Sequence, residues 1–187
     1  MKRYFVLSLL ILGLTAHIGA QVSLGEEVPN FSTLDQDNVK WTLKKELKKA
    51  DYMVVYFYPA AFTGGCTAQA CSYRDQKGDL EAVGAQVVGV SGDNAETLWL
   101  FAMEHKLNFS LLADESGKLA TIFDVPHNEG GTINREIKGK SFDLKRETTI
   151  QRWTFIIDKE GKLIYKDSEV DAANDSGKVV KYLASLQ

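Results

Sequence analysis

Six consecutive residues, Met53-Val54-Val55-Tyr56-Phe57-Tyr58, constrain most tightly what this chain of 187 residues can fold into. A strand with one wet face alternates apolar and polar residues. A run that is apolar, β-branched and aromatic on both phases reads as a strand covered on both faces, as in parallel sheets flanked by helices. Pro59 ends the run, because it has no N–H to give to a ladder. Gln86 to Ser91 (QVVGVS) is a second run of this kind, and Ser110 to Ala113 a short third. Between them the pattern turns helical. One helix is expected over roughly Cys66 to Val83. A second opens at Asp93, with Glu96 as capping-box partner, and carries Leu98, Trp99, Phe101, Ala102 and Met103 as core positions. A short helix follows over 117–123, stopped near Val125-Pro126.

The flanking segments complete the pattern. Residues 21–43 read as a short hairpin ending at Val39, Trp41 and Leu43, and Lys44 to Lys49 as a short basic turn with a solvated face. The stretch 127–148 is polar, charged and interrupted by Gly130, Gly131 and Gly139; it reads as the one long irregular loop, a kind of segment usually functional or mobile. Thr149 to Ile157 alternates as a strand, Asp158 to Gly161 is a turn, and Leu163 to Tyr165 pairs back. Residues 175–186 form a last amphipathic helix with Val179, Val180, Leu183 and Leu186. The order β-α-β-α-β-α-β-β-α predicts an α/β fold with a central mixed β-sheet flanked by helices on both faces. With 44% hydrophobic and 25% charged residues the chain is ordinary for a globular protein, which excludes disordered and low-complexity classes. A net charge of −3 argues against a nucleic-acid partner.

The first twenty residues read differently. Lys2 and Arg3 precede an apolar run from Tyr4 to Leu14, and Gly19-Ala20 are small residues ahead of Gln21. A membrane span needs ~20 apolar residues, so this run is too short to stay in a bilayer. The layout is that of a secretory signal peptide over 1–20, cut after Ala20, with one domain over 21–187. The expectation is an exported protein, periplasmic or secreted, with no stable membrane association once the leader is removed. Two cysteines in that setting either form a bond or are kept reduced by a partner. They are too few for a Cys₄ zinc site, and no cofactor or metal is expected.

The chemistry concentrates between Tyr58 and Cys71 (YPAAFTGGCTAQAC). Cys66 falls where a strand hands over to a helix, in the first turn. There, free backbone N–H groups and the positive end of the helix dipole favour a thiolate. Gly64 and Gly65 allow a tight turn and close approach of a small ligand. Thr63 can set a hydroxyl beside the sulfur, and Pro59 stiffens the loop and excludes water. His105 and His127 stand too isolated for a metal site, and Arg74 is equally suited to pairing with an acid or supporting the site.

Pro59, Thr63 and Cys66 in this spacing resemble the active-site loop of the peroxiredoxins. The second cysteine five residues on resembles the bacterioferritin-comigratory-protein/PrxQ subgroup. The likeness extends over Gly25 to Phe31, Ala70 to Asp75, Val88 to Ser91, Leu111 to Asp114, and Arg152 to Asp158, where the family's active-site arginine is borne. It implies a thioredoxin-like fold and peroxide reduction. Cys66 would be the peroxidatic cysteine and Cys71 the resolving one, joined in a Cys66–Cys71 disulfide. Thr63 and Arg152 would orient the peroxide and stabilise the thiolate. Hydrogen peroxide and organic hydroperoxides are the implied substrates, a thioredoxin-like donor the implied reductant, and a monomer or weak dimer the implied state. Two departures stand out: Gln69 where the family commonly has Glu, and a longer 127–148 segment. Two other classes remain open. A thiol–disulfide oxidoreductase would share the fold but normally uses Cys-x-x-Cys. A copper-binding chaperone would use Cys66, Cys71 and His127 as ligands.

Regular-helix geometry adds a constraint. Positions five apart lie roughly 8–9 Å apart between Cα atoms, whereas a disulfide needs ~4.4–6.8 Å. Cys66 and Cys71 therefore cannot bond while both remain helical, and the first turns of that helix must unwind in each cycle.

Overall fold

The computed structural model describes residues 21–187; the expected leader over 1–20 lies outside the described residues. A five-stranded sheet runs in the order β5-β4-β3-β8-β9, formed by β3 (Tyr52–Phe57), β4 (Ala85–Ser91), β5 (Ser110–Ala113), β8 (Trp153–Asp158) and β9 (Leu163–Asp167). β3, β4 and β5 are parallel, β8 pairs antiparallel with β3 and β9 antiparallel with β8, so the sheet is mixed as expected. The run at 53–58 is apolar on both phases because its side chains go to both faces. Val55 and Phe57 join Phe31, Trp41, Leu112, Phe123 and Phe155 on one side. Val54, Tyr56 and Tyr58 join Ala70, Tyr73, Leu98, Phe101, Val179 and Leu183 on the other. Burying each such large side chain contributes roughly 1.5–3 kcal/mol, which fixes β3 at the centre of the sheet.

The N-terminal hairpin is β1 (Ser32–Leu34) with β2 (Lys40–Thr42), followed by α1 (Leu43–Glu46) and a single 3₁₀ turn over Leu47–Lys49. The expected helix from 66 to 83 begins earlier and is broken. α2 spans Gly64–Asp75 and α3 spans Lys77–Ala82, with Gln76 between them at φ −94° and ψ 17°. The break, next to the weak helix former Gly78, lets Leu80 turn onto the sheet, where it is buried.

α4 (Ala95–His105) is capped by Asn94, whose side chain accepts from Thr97 N–H, and not by Asp93 as the sequence predicted. Asp93 is instead buried with other partners. Along α4, Leu98 and Phe101 face the core, whereas Trp99 (42% exposed) and Met103 (50% exposed), four residues apart, lie on the outer face; the expectation that both are core is corrected. α5 (Lys118–Ile122) and α6 (Asp175–Ala184) fall where the pattern placed them.

The largest correction concerns 127–148. The segment is not irregular: β6 (His127–Ile137) and β7 (Lys140–Ile150) form a long antiparallel arm, turned at Lys138-Gly139, both with positive φ. The strands pair with each other along their length, apart from one bridge of Arg146 to Asp93, and leave most side chains in water, so no apolar period marks them; Ile137, Leu144 and Ile150 are buried. The arm attaches to the end of β4 through Glu147 N–H to the Gly92 carbonyl (3.2 Å). Gly92 is required there: a Cβ would stand 1.9 Å from the Thr148 carbonyl oxygen. The single strand expected from Thr149 to Ile157 is also split. β7 ends at Ile150, Gln151 bonds the Pro126 carbonyl, and β8 starts at Trp153, which leaves Arg152 at the crossing between arm and sheet.

Candidate active site

Tyr58 N–H to the Val90 carbonyl is the last sheet bond before Pro59, which has none to give. The chain then crosses the C-terminal end of the sheet as a short loop. Ala61 N–H donates to Asp93 Oδ2 (2.9 Å), which also accepts from Ser91 Oγ (2.9 Å). Burial raises the Asp93 carboxyl above its usual range, against the pull of these two bonds. Phe62 adopts a left-handed conformation, φ 61°. Its ring packs against Phe101 and His105, at 5.1 and 5.9 Å between centroids, and its carbonyl accepts from Arg135 of the arm.

Thr63 is the N-cap of α2, and Thr67 N–H to the Thr63 carbonyl is the first helical bond. The N–H groups of Gly64, Gly65 and Cys66 thus belong to the open first turn, and Cys66 sits there as expected. The Thr63 hydroxyl donates to the Ala60 carbonyl (2.9 Å) rather than to the sulfur. Cys66 is buried, 1% exposed, and Cys71 is half-buried; both are free and both lie within α2.

Arg152 and Cys66, 86 residues apart, are brought together: Nη2 lies 3.3 Å from Sγ. Gly65 makes room for this approach, since a Cβ there would meet Arg152 Nη2 at 3.3 Å. The other terminal nitrogen, Nη1, donates to Gln69 Oε1. Gln69 is fully buried, and its Nε2 donates to Asp175 Oδ2 (2.7 Å). Tyr73 OH (2.7 Å) and Thr154 Oγ1 (2.8 Å) donate to the same oxygen. Burial raises the Asp175 carboxyl too, although three donors oppose it. Tyr56 stacks on Tyr73 and Tyr58, and burial in this cluster, then the neighbouring sulfur and carboxylate, push its phenol well upward.

The sequence reading took Asp93 for a helix cap and did not single out Tyr73, Thr154 or Asp175 for the site. Asp175 lies 106 residues from Gln69 and reads locally as the start of a helix. Of the two roles weighed for Arg74, pairing with an acid is the one seen: it pairs with exposed Asp75 and also ties α2 to α4 through the His105 carbonyl (2.6 Å). His127 bonds the Val125 carbonyl and crowds Gly117. Among the described residues no group of three His, Cys, Asp or Glu side chains is placed to hold a metal. Two large surface hollows, about 820 and 510 Å³, border Asp51 at the opposite end of β3 from Cys66. Cys66 itself is almost fully enclosed, an arrangement suited to a reactant of a few atoms.

The chain matches the AhpC/TSA family over residues 24–166. It is 36% identical over 167 residues to the chloroplastic peroxiredoxin Q of Oryza sativa subsp. japonica, covering 89% of this chain and 69% of that one. To the peroxiredoxin Bcp of Escherichia coli (strain K12) it is 35% identical over 159 residues, covering 85% and 94%. The crystal structure of peroxidoxin BcpB from Mycobacterium tuberculosis superposes with a TM-score of 0.73 at 30% identity, covering 89% of this chain and 99% of that one.

Proposed function

The chain belongs to the AhpC/TSA family and is a thiol-dependent peroxidase of the peroxiredoxin Q/Bcp kind; from that premise we propose that Cys66 is its peroxidatic cysteine and Cys71 its resolving one. The Cys66 thiolate attacks the distal peroxide oxygen. An S–O bond forms, the O–O bond breaks, and the leaving oxygen departs with a proton as water or an alcohol. The resulting sulfenic acid is attacked by the Cys71 sulfur, releasing water and forming the Cys66–Cys71 disulfide. A thioredoxin-like dithiol then reduces that bond. The substrates are hydrogen peroxide and organic hydroperoxides, and the leader pattern of residues 1–20 supports action outside the cytoplasm.

The observation that carries this reading is the Arg152 guanidinium 3.3 Å from the Cys66 sulfur, beside the open first turn of α2. Magnitudes show why it matters. A free thiol is a few per cent thiolate at pH 7, so full ionisation gains at most roughly 30-fold. The rest must come from donors aimed where charge moves, from sulfur to the leaving oxygen; losing one such donor typically costs ~3–4 kcal/mol. Arg152 is placed for that task. Thr63, its proton engaged by Ala60, keeps lone pairs to receive the peroxide hydrogen.

Stopped-flow oxidation by hydrogen peroxide and by an organic hydroperoxide tests the assignment. Arg152→Ala is expected to slow Cys66 oxidation by about 100-fold or more at every pH. Cys71→Ser should keep the first step and stop at a trappable sulfenic acid. A variant lacking Arg152 that only shifts the pH profile and keeps the plateau rate would defeat the reading.

A further inference from the structure

Arg152 and Asp175 are opposite charges that the fold brings close without letting them touch. The guanidinium bonds the Cys66 sulfur and the Gln69 oxygen, and among the described residues it makes no ion pair. Asp175 is 1% exposed. Its Oδ2 takes Gln69, Tyr73 and Thr154, its Oδ1 has no partner among the described residues, and no cation contacts it. A buried carboxylate lacking a counter-charge is costly. Among the described residues, the group touching both is the Gln69 amide. Its NH₂ faces the carboxylate and its oxygen faces the guanidinium, so its dipole is aligned with both charges. Turned over, it would set two donors and two acceptors against each other.

We propose that Asp175 is a positioning residue of the peroxide site, holding Arg152 on the Cys66 sulfur through the Gln69 amide. This rests on the reading of Cys66 as the peroxide-reactive sulfur and deepens it. The interposed amide engages Nη1 alone and leaves Nη2 free for Sγ. Gln69 lies between the two cysteines on α2, and Tyr73 follows the second, so the same carboxylate also holds that stretch in the helical form in which Cys66 faces Arg152. Three elements, α2, β8 and α6, meet at one oxygen.

The test measures the second-order rate of Cys66 oxidation by hydrogen peroxide in the full domain. Asp175→Ala is expected to lose about tenfold or more, and Asp175→Asn, which keeps the shape and removes the charge, about threefold or more, within the usual span of coupling between residues of one network. Both losses should vanish when Arg152→Ala is already present. Adding Gln69→Glu to Asp175→Asn exchanges amide and carboxylate along the same line and should restore the rate to within about threefold. A wild-type rate in Asp175→Asn, an undiminished loss in the Arg152→Ala background, or no restoration by Gln69→Glu overturns the proposal. Should Asp175→Ala fail to fold, Asp175→Asn and its restoration carry the test. The outcomes separate cleanly: if Arg152→Ala itself is harmless, the reading of the site fails first; if Arg152→Ala is damaging and the Asp175 variants are not, only this inference fails.

Discussion

Upstream of Cys66 the chain arrives through the loop Ala60–Thr63; downstream it continues as the body of α2. The two stretches are fastened by different means. The loop is held by main-chain groups: Tyr58 N–H on β4, Ala61 N–H on Asp93, and the Phe62 carbonyl under Arg135. The helix is held to its surroundings by side chains: Gln69 and Tyr73 on Asp175, Ser72 on Ser176 and the Ala173 carbonyl, Arg74 on the His105 carbonyl. The Tyr58 bond opens only when the sheet opens, and the bonds to Asp93 and Arg135 fix the backbone of the loop itself. Side-chain bonds can let go and be remade while every strand stays paired. In the proposed cycle, that difference gives the loop the task of keeping the sulfur in place and the helix that of yielding for Cys66 to reach Cys71.

The sharpest way to break this comparison is amide exchange in the two redox states. With the Cys66–Cys71 bond formed, residues 66–74 are expected to exchange about 100-fold faster or more, as local opening falls from near-global to marginal free energy. Residues 58–63 should change by less than about threefold. Equal change on both sides, with the bond proven by mass, removes the distinction.

A smaller effect is expected from Gly65→Ala. The new Cβ meets Arg152 Nη2 at 3.3 Å, and the flexible guanidinium must give way from the sulfur. Peroxide oxidation should slow by about tenfold, part of the value of one preorganised donor. The midpoint of unfolding should hold or rise, since Ala favours a helix by up to ~1 kcal/mol over Gly. Loss of stability with unchanged rate would show that Gly65 serves the turn and not the arginine.

The smallest effect concerns the loop's anchor. Burial raises the folded carboxyl of Asp93 above its unfolded value. The folded state therefore holds that proton more tightly, so the stability linked to it is complete below the usual aspartate range near ~3.9 and is lost as pH rises through the raised value. Asp93→Asn should flatten that part of the unfolding free energy against pH and leave the share due to Asp114 and Asp175, which are raised in the same direction. An unchanged slope would mean that Asp93 does not titrate in this window.

What the sequence made legible was whatever buries apolar surface. The continuous run at 53–58, the QVVGVS run and the Val179–Leu183 face announced the sheet and its last helix, because each position is answered by a covered face. Cys66 at the head of a helix followed from Pro59, Gly64 and Gly65, and Arg152 from the likeness of its strand to the peroxiredoxins. The arm escaped notice because a two-stranded ribbon with most of its side chains in water needs no apolar period, and its glycines read as loop. At Gly130 the glycine instead serves pairing: a Cβ would stand 2.0 Å from the Arg146 carbonyl oxygen. Asp93 was taken for a cap because it precedes the real one by a single residue, and capping motifs do not mark which of two neighbours turns inward. Asp175 left no trace in spacing, since its partners come from two other elements.

The near-complete enclosure of Cys66 has a consequence for the order of events. While α2 is wound, a slender oxidant can slip in, but a protein donor is too broad to touch the sulfur. In the proposed cycle that donor finds its target only after the helix has come undone around a newly made bond. The fold then behaves as a check valve, passing oxidising equivalents inward through one conformation and releasing them outward through the other.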